Sequence, residues 1–158
     1  MVDEILSNLA KKLPRFSDGR LNYTNSKEAA IVSVSLWYED KLLLLKRSDK
    51  VGNYKGYWNV VAGYYDDFSK SPQQKGIEEA KEEVGLEEKN ILKIQVGKYH
   101  KLIDDKIDKT FYVFPIKISL FLQSQIKLDW EHTEYRWIDL KELNKFQIVY
   151  KLDEILRV

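Results

Sequence analysis

The chain has no cysteine, which excludes disulfides, thiol nucleophiles and cysteine-ligated zinc. It has no surplus of either charge. The 26 Lys and Arg nearly cancel the 25 Asp and Glu, so net charge argues for neither a nucleic-acid nor a membrane partner. No apolar run approaches the ~18 residues that a bilayer span needs. The opening stretch, MVDEILSNLAKKLPRF, lacks the apolar core and cleavage site of a secretory signal, and a cytoplasmic location is the expectation that follows. There is no internal repeat, low-complexity block or linker. What remains is a 158-residue chain, 44% hydrophobic and 32% charged, suited to one soluble domain with a sizeable core.

Ile5, Leu6, Leu9 and Leu13 recur at helical spacing and predict a short helix ended by Pro14; with a polar connector it fills residues 1–28. AAIVSVSLWYEDKLLLLKR reads as two strands around a tight turn at Glu39-Asp40, and WNVVAGYY as a third that bends at Gly63. Pro72 to about Val84 reads as a helix. Ser71 is its N-cap, Gln74 completes a capping box, and Gly85 stops it. ILKIQVGKYHKLI and KTFYVFPIKISLFL are long strand candidates, and EYRWIDL is a last short strand. The chain is expected to close with an amphipathic helix over 143–157, where Ile148, Leu152, Ile155 and Leu156 share a stripe. That stripe packs either on its own domain or on a second subunit, which makes a homodimer an option. The mixed order of elements predicts an α+β class, a sheet with helices packed on it.

The stretch GIEEAKEEVGL gathers Glu78, Glu79, Glu82 and Glu83 within six positions. At about 100° per residue, Glu79 and Glu83 lie roughly 40° apart and Glu82 roughly 60° to the other side of Glu79. They project away from an Ile77–Ala80–Val84 stripe, expected to pack on the sheet with Val32, Val34, Leu43, Leu45 and Trp137. A charge run is ordinarily a solvated face, but here compensation is short. Lys81 falls off that face, and Lys75 reaches only Glu79 at i,i+4. Three converging carboxylates make a hard oxygen site suited to Mg²⁺ or Mn²⁺ rather than zinc.

These residues resemble the Nudix hydrolase box, G-x5-E-x7-R-E-U-x-E-E-x-G-U with U aliphatic. Glu79, Ala80, Glu82, Glu83, Gly85 and Leu86 occupy its second half. Upstream, Trp58 to Gly63 resembles the family's strand and Gly-Gly turn; downstream, EHTEYRWIDLKEL resembles its late Glu and Trp-containing strand. Two box positions depart: Glu78 stands where the family has Arg, and Ser69 or Lys70 where it has Glu. Lys70 and Glu78 keep the family's spacing with charges exchanged, which predicts an ion-pair brace of reversed polarity.

The resemblance implies an α/β/α sandwich with a mixed sheet, as one domain over 1–158. It implies a Mg²⁺- or Mn²⁺-dependent hydrolase that cleaves the diphosphate linkage of a nucleoside diphosphate joined to another moiety. Glu79, Glu82 and Glu83, with the Ala62 carbonyl, are the implied metal ligands. Glu79, Glu83 and the late Glu134 are the implied catalytic groups, with Glu131 competing for Glu134's place. Arg47, Lys46 and Tyr64 are candidates for substrate contact, and Tyr65, Tyr99 and Tyr112 for stacking or core packing. His100 and His132 are the only histidines, and a lone loop histidine is more often bland than catalytic. The competing reading is a catalytically silent domain of the same fold that binds a nucleotide or a protein.

Overall fold

The structure, a computed structural model, describes residues 2–123 and 125–157. Helix α1 (Val2–Lys12) leads into β1 (Glu28–Tyr38) and β2 (Lys41–Arg47), followed by the short β3 (Trp58–Asn59) and β4 (Val61–Tyr64). Helix α2 (Pro72–Val84) precedes β5 (Ile91–Val96), β6 (His100–Asp104), β7 (Lys109–Leu120), β8 (His132–Asp139) and the four-residue α3 (Leu152–Ile155). Among the described residues, no helix is long and apolar enough to cross a membrane.

Strand β1 is the centre of a mixed eight-stranded sheet. It runs parallel to β7 along its whole length, Glu28 opposite Thr110 through Tyr38 opposite Leu120. On its other edge it pairs first with β4, then with β2 only beside the Glu39-Asp40 turn. The β2 strand turns away to pair with β8 and β3. Alternation along the strands sorts side chains to two faces. Val32, Val34, Leu36, Leu43 and Leu45 enter the larger core under α2, and Leu42 and Leu44 point to the opposite face with Trp37 and Ile138. Helix α2 packs closely on the first face. A Cβ on Gly76 would lie 2.7 Å from Ile116 Cδ1 and 3.1 Å from Val34 Cγ2. Ala80 and Val84 are buried as expected, while Ile77 and Trp137 are half-buried at the margin.

Three expectations change. The strand through WNVVAGYY breaks at Val60 rather than Gly63, because the Asn59 side chain accepts the Val60 N–H (2.8 Å). The ladder then passes from β2 to β1. ILKIQVGKYHKLI is split at 97–99, opposite Pro115, which has no N–H to give; only the Gly97 N–H reaches its carbonyl (2.9 Å).

The third change is larger: no continuous helix covers 143–157. A 3₁₀ stretch, Leu140–Lys145, gives way to extended chain. There Trp58 N–H donates to the Gln147 carbonyl (2.8 Å) and Val149 N–H to the Trp58 carbonyl (3.0 Å). The β-branched Ile148 and Val149 suit that pairing, and Lys151 at φ 62° resets the chain before α3. The apolar stripe is still used. Leu152 and Leu156 cover the second face, with Ile148 beside them.

Candidate functional site

The acidic helix is placed by its ends. Ser71 Oγ accepts the Gln74 N–H (3.1 Å) while Gln74 Oε1 accepts the Ser71 N–H (2.8 Å), the reciprocal pair expected from the sequence. At the other end Gly85 sits at φ 74°, and its N–H and that of Leu86 return to the Lys81 and Ala80 carbonyls (3.1 and 3.2 Å). This seating turns Glu79 and Glu83 inward and leaves Glu82 exposed at the rim. The Glu83 side chain is only 2% exposed. Its Oε1 accepts a 3.4 Å hydrogen bond from the Ala62 N–H, and its Oε2 is buried with no hydrogen-bond partner. The Oε1 contact runs through the Ala62 N–H. Glu79 lies against Gly63, where a Cβ would fall 2.3 Å from its Cδ and Oε2.

Lys75 does more than its spacing suggests. It is almost fully enclosed, with Nζ 3.1 Å from Glu79 Oε1, 3.2 Å from Asp66 Oδ1 and 3.5 Å from Glu78 Oε1. Burial works against its charge, but Glu79, Asp66 and Glu78 outweigh that and raise its pKa. Lys70 Nζ reaches Glu78 Oε2 at 2.8 Å, forming the reversed-polarity pair, and this bond holds Glu78 below the usual carboxylate range.

The end of the loop before β8 and the first residue of that strand supply the facing groups. Glu131 and the buried His132 bring one donor atom each within 4.8 Å of one another and of Glu83. His132 Nδ1 is 3.1 Å from Asp129 Oδ1, and Nε2 is 3.7 Å from Glu83 Oε1. The Ser48 N–H holds the Glu131 carbonyl (2.7 Å), and the Asp129 N–H holds the Glu83 carbonyl (3.2 Å). Burial, then the neighbouring Glu131 and Glu79, pushes the Glu83 carboxyl well above its ordinary range. Burial also raises Glu79, against the pull of Lys75. Glu131 is pushed up to about 7 by burial, then by Asp129 and Glu79. Burial lowers His132 despite Asp129, favouring a neutral imidazole.

A cavity of about 520 Å³ opens beside this group and reaches it through Glu79 and Glu131. Arg47, Tyr64, Glu79, Glu82, Trp130 and Glu131 line it, together with a set of apolar side chains that includes Leu102, Phe111, Val113 and Ile155. The Arg47 guanidinium is fixed by the Asn53 carbonyl (3.0 and 3.2 Å) and Oδ1 (3.1 Å). Tyr64 is half exposed and stacks on Tyr23 at 5.2 Å. Glu134 and Lys46 do not join the cavity. They face each other across the β2–β8 ladder at 3.4 Å, and Glu134 also meets Arg136 at 3.5 Å. Tyr65 and Tyr112 are buried, and Tyr99 packs on that core. His100 lies in β6, outside the cavity lining. Asp129 and Trp130 escaped the sequence reading. The run Asp-Trp-Glu-His at 129–132, dense in ligand-type side chains, was the available signal.

A mixed sheet between helical layers, with an acid-faced helix set against a strand-to-loop junction, defines the class to which the comparisons point. The family model for the NUDIX domain matches residues 27–157. The chain belongs to the Nudix family. Its fold is shared with an Ap4A hydrolase of C. elegans, solved as a binary complex (18% identity, 82% of this chain and 93% of that one, TM-score 0.64). It is shared too with the NUDIX domain of Shewanella oneidensis NrtR in complex with ADP ribose (13% identity, 99% and 94%, TM-score 0.68). A MutT protein from Methanosarcina mazei Go1 is also similar (20% identity, 82% and 89%, TM-score 0.61). No curated protein matches by sequence.

Proposed function

We propose that the chain is a divalent-cation-dependent hydrolase that cleaves the diphosphate linkage of a nucleoside diphosphate joined to another moiety. The observation that carries this reading is the buried Glu83 carboxylate, with an unpartnered Oε2, facing Glu79 and Glu131. Three acids whose pKa values rise on burial and mutual contact ionise together only when a cation offsets them. The donor set therefore fits a divalent ion, held by Glu79, Glu82 and Glu83 from the helix and by Glu131 from across the cavity. Family membership and nucleotide-handling neighbours, an Ap4A hydrolase and an ADP-ribose complex, support the substrate class.

When bound, Mg²⁺ or Mn²⁺ neutralises charge on the diphosphate and in the transition state. The other roles fall to the chain. Glu131 lines the cavity opposite the helix and serves as the extra carboxylate ligand rather than as a free base. This places it ahead of Glu134, which is engaged by Lys46 and Arg136. Arg47, already oriented by Asn53, offers a fixed guanidinium to a phosphate oxygen. Tyr64 and Trp130 present exposed rings at the mouth, suited to a flat base.

The test is Glu83→Gln, which keeps size and helix propensity and removes the charge. Wild type and variant are screened against ADP-ribose, dinucleoside polyphosphates, nucleotide sugars, CoA and NADH with each ion. Turnover should fall by about a hundredfold or more, and the metal-free melting temperature should not fall. Unchanged turnover on an identified substrate, with ion affinity intact, would remove Glu83 from the site. Ion binding without turnover on any compound would instead favour the silent, ligand-binding reading.

A further inference from the structure

We infer that His132 is a nitrogen ligand of the cation site, and that the ion this chain selects is Mn²⁺ or Co²⁺ rather than Mg²⁺. The inference rests on the proposed cation site and specifies its chemistry. A carboxylate only accepts hydrogen bonds, so the 3.1 Å contact with Asp129 Oδ1 places the imidazole proton on Nδ1. Nε2 is left with its lone pair. It lies 3.7 Å from Glu83 Oε1, beyond hydrogen-bond reach, and within 4.8 Å of donor atoms on both Glu83 and Glu131.

A lone pair buried against carboxylate oxygens is repulsive without a cation between them. The independent sign is Glu83 Oε2, on a side chain 2% exposed and with no hydrogen-bond partner. His132 Nε2 thus faces the Glu83 carboxylate, one of whose oxygens has no partner, with a Glu131 oxygen nearby. A carboxylate on the far ring nitrogen is the arrangement that fixes tautomer and orientation in histidine-ligated metal sites. Mg²⁺ favours oxygen and gives up water reluctantly, whereas imidazole suits the transition ions. The oxygen-only site expected from the sequence is therefore revised. The carboxylates remain, and a nitrogen joins them. The rival is an imidazolium that itself serves as the cation facing Glu83.

The full chain, stripped with chelator, is titrated by calorimetry with Mn²⁺, Co²⁺ and Mg²⁺. Wild type should favour Mn²⁺ and Co²⁺ over Mg²⁺ by at least about tenfold. His132→Gln should bring that ratio towards one, mainly by weakening the transition ions. Asp129→Ala should weaken Co²⁺ by about 10–100-fold through the ring orientation alone. The Co²⁺-loaded wild type provides a readout that needs no variant. With two histidines in the chain, one strongly shifted imidazole N–H proton resonance is expected. Its absence, or an equal loss of Mg²⁺ and Co²⁺ affinity in His132→Gln, overturns the inference, and the imidazolium reading predicts both. Ion selectivity without hydrolysis would sink the proposed function and leave this inference standing. Hydrolysis by an oxygen-only site would do the reverse.

Discussion

A single methyl group separates a seated Glu79 from a displaced one. Gly63 does not adopt a positive φ, so alanine is permitted there by the backbone, yet its Cβ would fall 2.3 Å from Glu79 Cδ. The obstructing atom is the end of a flexible side chain, so the fold yields by releasing the carboxylate. Gly63→Ala is therefore expected to melt within a few degrees of wild type while losing about 100-fold in turnover; thermal melts and initial rates on one identified substrate check both halves. Unaltered turnover would show that the position of Glu79 does not matter. The helical spacing of Glu79 and Glu83 made their convergence legible in the sequence, but not their inequality with Glu82. That difference comes from how α2 is seated on Val34 and Ile116, a contact between distant segments. That Glu131 and not Glu134 lines the cavity was equally hidden, because the loop is shaped by Asp129 hydrogen bonds and not by a periodicity.

Among the elements, α2 was read to the residue, since its capping box and glycine stop are local chemistry. Its reversed ion pair has a cause that only packing reveals. Glu78 faces Lys70 on the outside and, at 3.5 Å, the enclosed Lys75 on the inside. Restoring the common polarity with K70E/E78R would set a guanidinium against a buried ammonium. The double variant is expected to unfold at lower urea than either Lys70→Ala or wild type, and adding Lys75→Gln should recover much of the loss. Equal stability of double variant and wild type would show that Lys75 does not dictate the polarity. The C-terminal stripe was legible as apolar but not as extended. Helical spacing over 148–156 says nothing of Trp58, whose backbone claims Gln147 and Val149.

For the whole molecule, the buried acids fix how stability follows pH. Glu131 ionises near 4.5 when unfolded and about 7 when folded, so between those values the native state holds the extra proton. Stability then falls as pH rises through that window, and the raised Glu79 and Glu83 act in the same direction. Glu78 and His132 have lowered pKa values and act oppositely; the Glu78 contribution is lost only as pH falls below the ordinary glutamate range, while the single His132 opposes the three acids inside the window. The metal-free protein should therefore melt higher near pH 5 than near pH 8, and saturating Mn²⁺ should flatten the slope. Melts across that range decide it; a metal-free slope that rises with pH would contradict the burial of these acids. The class was legible from the mixed order of strands and helices, and the layers from the family resemblance. The strand order was not, because the central pairing joins segments far apart in the chain.

That long parallel seam between β1 and β7 also orders events in time. Its partners stand about 80 positions apart, so forming it requires the closure of a large loop, with α2 inside it, before the contacts repay the lost entropy. The clustered groups come from both within that loop and beyond it, Glu83 from the one and Glu131 and His132 from the other. An ion that needs all three finds them together only after the seam has closed. At the proposed site such an ion would be a latch on the finished fold and not a seed for its assembly.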